Sequence, residues 1–69
     1  MPEPRLGNRL KERRSELGLT QAELALRIGV SRKTINTVEN GVFTPSTVLA
    51  LSLAEALDRK VDDLFFLVG

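Results

Sequence analysis

Thr20–Gly41, TQAELALRIGVSRKTINTVENG, reads as two short helices joined by a tight turn. Thr20 followed three residues later by Glu23 is a capping box: the hydroxyl meets a free amide and the carboxylate reaches back. Ala22, Leu24, Ala25 and Ile28 then recur at helical spacing. Gly29 stops this helix, because glycine takes a left-handed position after a helix end without a Cβ penalty. Ser31 is placed to cap a second helix. That helix turns Ile35 and Val38 inward and leaves Arg32, Lys33, Asn36 and Thr37 facing out, and Gly41 closes it.

In register, Gln21, Ala25, Gly29, Val30, Ile35, Val38 and the Glu39-Asn40-Gly41 end resemble the lambda-repressor/Cro-type (XRE) family of DNA-binding helix-turn-helix proteins. Small Ala25 lets the two helices approach, Gly29 permits the reversal, and Ile35 and Val38 seat the second helix on the first. The resemblance implies an all-α fold, a compact five-helix bundle with the helix-turn-helix at helices 2 and 3. It leaves room for a short β element at the termini.

Composition narrows the alternatives. A chain of 69 residues is one domain at most, and such a domain buries only about 60% of the surface its unfolded chain exposes. Cysteine and histidine are both absent, which removes disulfides, thiolate zinc sites and the usual general base. Oligomerisation is an expected source of added stability. No apolar run approaches the ~20 residues of a membrane span, and nothing resembles a signal peptide. The expectation is a cytoplasmic, nucleoid-associated protein with no cofactor, no metal and no membrane partner. Charge is uneven: residues 1–41 hold eight Lys/Arg against five Asp/Glu, a net +3, and residues 42–69 hold two against four, a net −2. A basic half suits phosphate, although ordinary surface charge gives the same count.

Along the chain, Met1 to Pro4 are expected loose or extended, since two prolines lack amide donors. Helix 1 is expected over about 7–17, with Leu6, Leu10 and Leu17 on one face and Arg13 and Arg14 near the same stripe. Helix 2 is expected over 21–28, recognition helix 3 over 32–40, helix 4 over 47–57 and helix 5 over 61–65. Phe43 is expected to anchor its loop in the core. Val48, Leu49, Leu51, Leu53, Ala54 and Leu57 make helix 4 too widely apolar for a surface helix. Asp62 and Asp63 sit in the first turn of helix 5, favourable for its dipole.

Two features are open on the residues alone. Arg14 is either solvated, with its stem on apolar surface, or ion-paired; the family resemblance implies a structural ion pair with Glu39. The apolar tail Phe66-Leu67-Val68 needs a cover. It either folds back on its own chain or, as the resemblance implies, joins Leu64 and Phe65 in a homodimer interface, extended beside residues 4–6.

For DNA, helix 3 fits the ~12 Å major groove. Arg32 suits guanine, Lys33 reaches a base or only phosphate, Asn36 suits adenine, and Thr37 offers a methyl to thymine. The resemblance places base contacts at Arg32, Lys33 and Thr37; geometry adds Asn36. Phosphate contacts are expected from Gln21 at the helix 2 start and, by resemblance, from Ser31 and Asn40, with Arg14 as an addition. The expected function is a sequence-specific, double-stranded DNA-binding transcriptional regulator, a repressor binding an inverted repeat as a homodimer, with a regulatory protein as a further partner option. The alternative is an antitoxin-like module whose acidic half grips a protein. No nucleophile–base pair or phosphate loop supports an enzyme, and helix-dipole placement explains Asp58, Asp62 and Asp63 without a metal.

Overall fold

The computed structural model describes residues 5–69. The expectations for Met1 to Pro4, including Pro4 beside the tail, lie outside the described residues. The elements run β1 (Arg5–Asn8), α1 (Leu10–Glu16), α2 (Gln21–Ile28), α3 (Arg32–Glu39), α4 (Thr47–Ala56), α5 (Val61–Leu64) and β2 (Phe65–Val68). The described residues thus form five helices and a two-stranded antiparallel sheet, with Arg5 opposite Val68 and Asn8 opposite Phe65. The all-α expectation is corrected by this sheet, and its optional β element lies at 5–8 and 65–68.

Short polar side chains set the helix starts. The Thr20 hydroxyl accepts the Glu23 amide while Glu23 Oε1 accepts the Thr20 amide, each at 3.0 Å. Ser31 and Ser46 likewise accept the amides of Thr34 and Leu49, each at 3.2 Å. These bonds satisfy donors that the helices leave orphaned at their first turns. Gly29 ends α2 at φ 74°, a left-handed conformation in which a Cβ is costly.

Helix 1 starts later than its periodicity predicts. Gly7 and Asn8 belong to β1, and Asn8 Oδ1 accepts the Leu10 amide at 3.2 Å. Gly7 sits opposite Phe66 in the sheet, and a Cβ there would meet the Phe66 ring and the Val68 side chain. The glycine thus gives the Phe66 and Val68 side chains room across the strand pair, and takes no part in a helix. Leu17, expected on one face with Leu6 and Leu10, falls just beyond α1 and is 40% exposed.

Leu10, Leu24, Ile35, Leu53, Leu57 and Leu64 are fully buried, with Val38 beside them. Leu19, just before the Thr20 cap, joins this core. Helix α4 buries Leu53 and Ala54, with Leu57 at its C-cap, but Val48 is 75% and Leu51 55% exposed. Its wide apolar wrap therefore does not put it at the centre: the chain has too few elements to cover all sides. Phe43 is 48% exposed, a correction to the anchoring role expected of it. Leu64 and Phe65, expected at a homodimer interface, are consumed by the chain's own core. Phe65 also begins β2, not the end of α5.

Candidate nucleic-acid interface

Helices α2 and α3 pack through small and branched apolar side chains. Ala25 is 3% exposed, and Ile35 and Val38 face it from the buried side of α3. The Val30 amide donates to the Ala25 carbonyl at 3.0 Å, closing the turn around Gly29. With one face of α3 consumed by this packing, helical period puts Arg32, Lys33, Asn36 and Asn40 on the exposed side. Among the described residues neither Arg32 nor Lys33 enters an ion pair. Thr37 is half-buried. Its hydroxyl donates back to the Lys33 and Thr34 carbonyls, each at 3.0 Å.

The orientation of α3 is held from below. Arg14 grips Glu39 with two parallel bonds: Nε to Oε2 at 2.8 Å and Nη2 to Oε1 at 3.1 Å. Arg14 Nη1 also donates to the Leu19 carbonyl at 2.9 Å. The side chains keep only 12% and 3% of their exposure. Glu39, by bonding to the guanidinium and by its charge, holds the Arg14 pKa above its ordinary value despite burial. This geometry answers the question left open by the residues: Arg14 is an enclosed ion-pair partner. It is poorly placed for the phosphate contact also expected of it.

Gln21 is drawn inward too. Its Nε2 donates to Glu39 Oε1 at 3.1 Å and to Asn36 Oδ1 at 3.2 Å. Both amide hydrogens are thereby used, so a phosphate contact from Gln21 falls to its backbone amide. Asn40 Nδ2 donates to the same Asn36 oxygen at 3.2 Å and keeps a second hydrogen free. The Ser31 hydroxyl is engaged with Thr34, through its amide and its Oγ1.

The contacts made here by four residues, Asn8, Arg13, Val42 and Phe43, escaped the sequence reading. Asn8 Nδ2 donates to the Val38 and Glu39 carbonyls at 3.0 and 3.3 Å, tying the end of α3 to β1. Arg13 Nε donates to the Leu57 carbonyl at 2.8 Å, closing α4 against α1. Val42, 78% exposed, and Phe43 stand beside Thr37 past the end of α3, making an apolar edge to the exposed face. Asparagine in a polar N-terminal run carries no periodic signal, and Asn8 acts over thirty positions of sequence.

Comparison with known proteins agrees with this geometry. A family model described as helix-turn-helix matches residues 10–64. The chain belongs to the XRE-type helix-turn-helix family of DNA-binding transcriptional regulators. An uncharacterized HTH-type transcriptional regulator of Methanothermobacter thermautotrophicus is 51% identical over 59 residues, covering 84% of this chain and 86% of that protein. One from Archaeoglobus fulgidus is 44% identical over 57 residues, 83% and 80% of the two chains. Among solved structures, the restriction-modification controller protein C.AhdI from Aeromonas hydrophila superposes with a TM-score of 0.74 at 39% identity, over 78% of each chain. A putative DNA-binding protein from Bacteroides fragilis gives 0.80 at 28% identity, over 88% of this chain and 98% of that one. Within this family the exposed face of α3 is the surface to consider for DNA. Among the described residues of this regulator, no helix is long and apolar enough to cross a membrane.

Proposed function

We propose that this regulator is a repressor that binds an inverted-repeat operator as a homodimer, with α3 of each copy in the major groove. One observation supports it above others: Arg32 and Lys33 stand exposed, in no ion pair among the described residues, at the start of a helix whose far end is clamped by the Arg14–Glu39 pair. A groove-reading helix needs this combination of free cationic donors and a fixed frame.

In this reading Arg32 donates to guanine O6 and N7, and Lys33 to a neighbouring base or phosphate. Thr37 and Asn36 complete the base-facing set. Phosphates are met by the Asn40 amide, the Ser31 region and the backbone amides at the start of α2. The loop at 42–45 has no Lys or Arg, so each monomer binds weakly and two copies are required. The second copy is joined through Phe66, Leu67 and Val68 of β2, of which Leu67 is 74% exposed. Leu64 and Phe65 contribute by supporting the strand from within. Operator occupancy puts the work of the protein on the nucleoid, in the cytoplasm.

Selecting bound sequences from random duplex DNA with the purified protein tests the reading. A two-fold symmetric consensus is expected, with half-sites about one helical turn apart. Affinity should fall steeply as salt rises. Arg32→Ala should cost about 1–3 kcal/mol and relax preference at one base pair of each half-site. Equal loss on every sequence would reduce Arg32 to a phosphate contact, and absence of any consensus would end the proposal.

A further inference from the structure

Asn36 receives two hydrogen bonds, and both end on its oxygen. Gln21 Nε2 and Asn40 Nδ2 each lie 3.2 Å from Asn36 Oδ1. A carboxamide oxygen offers two acceptor positions, so both are filled. Nothing on α3 alone sets this polarity; it comes from beneath. Arg14 has only donors and the Glu39 carboxylate only acceptors. Gln21 must therefore turn its NH2 towards Glu39 Oε1, 3.1 Å away. The other hydrogen of that NH2 meets Asn36, which has to answer with oxygen. The Asn36 NH2 is left on the exposed face, with no partner among the described residues.

We propose that Asn36 reads DNA as a hydrogen-bond donor only. Its amide polarity is set by Gln21 and, behind Gln21, by the Arg14–Glu39 pair. The inference rests on the placement of α3 in the major groove proposed above. It changes which base Asn36 selects. Adenine presents an N7 acceptor next to an N6 donor, and pairing with both takes the oxygen and the nitrogen of a carboxamide together. With its oxygen already filled, Asn36 loses half of that pairing. Guanine presents two neighbouring acceptors, N7 and O6, and suits a donor-only NH2. Asn36 therefore selects guanine over adenine, against the pairing that residue type alone suggests. Gln21 is a positioning residue in this scheme, not a reader of DNA.

The test uses the operator recovered by selection with the full chain. The base pair read by Asn36 is the one whose preference disappears in Asn36→Ala. Duplexes with guanine, adenine or 7-deazaguanine at that site are then compared. The wild-type protein should prefer guanine to adenine by about tenfold, and loss of N7 should erase part of that gain. Gln21→Met should bring the guanine-to-adenine ratio towards one while preferences at the other positions hold; a merely structural role would lower affinity for every sequence alike. Asn36→Asp, on the exposed face, keeps one oxygen for Gln21 and Asn40 and presents the other outward. It should transfer preference to a base with an amino donor, such as cytosine. A wild-type preference for adenine overturns the inference while leaving DNA reading intact. So does an unaltered ratio in Gln21→Met, or an Asn36→Ala variant that changes no position. Absence of base preference anywhere in the wild-type operator removes both this inference and the function it rests on.

Discussion

At the residue scale, Glu39 ties the end of α3 to both α1 and α2. It meets Arg14 and Gln21 through the same carboxylate, at 3% exposure. Removing one member of such a pair leaves a charge buried without compensation. Glu39→Gln should therefore lower unfolding stability by about 3 kcal/mol, read by chemical denaturation. Arg14→Met combined with Glu39→Met should recover much of that loss, because a well-packed apolar pair removes the desolvation cost altogether. If the double variant were as unstable as the single one, the pair would be a source of stability in itself. On the residues alone Arg14 was open between solvent and an ion pair, and the pairing with Glu39 that the family resemblance implied is the one the structure holds. That Gln21 joins them was not legible in the sequence, because a glutamine at a helix start is equally at home facing solvent.

Elements show where local chemistry settles an outcome and where it gives way. The Thr20 amide first, and the Thr20 hydroxyl second, hold the Glu23 carboxyl below its ordinary pKa, with Arg27 adding its charge. The folded state thus binds that proton less readily than the unfolded state. The stabilisation is complete above the unfolded value and is lost as pH falls through the depressed folded value. Acid titration of thermal stability should show Glu23→Gln with a shallower decline than the wild-type protein in this range. An identical slope would exclude the capping box as a source of acid sensitivity. The end of α4 is less well made. Asp58 follows its C-cap at φ 53°, a left-handed residue with a Cβ and a negative charge at the negative end of a helix, which corrects the favourable dipole placement expected of it. Asp58→Gly should raise stability by about 0.5–1 kcal/mol, measured by denaturant midpoint. The later start of α1 has the opposite origin. Gly7 and Asn8 have no strong local preference, and pairing with Phe65 and Phe66 recruits them into a strand.

For the whole molecule, the decisive feature is surplus apolar surface. Leu67 is 74%, Val48 75% and Leu51 55% exposed on a chain of 69 residues. A single small chain has too few elements to bury them. The edge of β2 not paired with β1 is also a strand edge that another chain can extend. Sedimentation at micromolar concentration should find a dimer, and Leu67→Lys should convert it to a monomer with unchanged helix content. A monomeric wild-type protein would refute assembly through the tail. DNA affinity of the Leu67→Lys protein should fall with dimerisation, while its isolated half-site preference survives.

The sequence by itself determined the helix-turn-helix. Capping side chains at Thr20 and Ser31, glycine at position 29 and a 3.6-residue apolar period all act within a few residues, so no distant partner is needed to decide them. Tertiary structure alone decided the sheet at the termini, the exposure of Phe43, Val48 and Leu51, and the amide polarity of Asn36. Each depends on which distant groups are left over once the core is filled: a ring across from Gly7, a missing cover for α4, a carboxylate under Gln21. Hydrophobic pattern records that a side chain wants burial, but only the assembled chain determines whether enough neighbours exist to provide it.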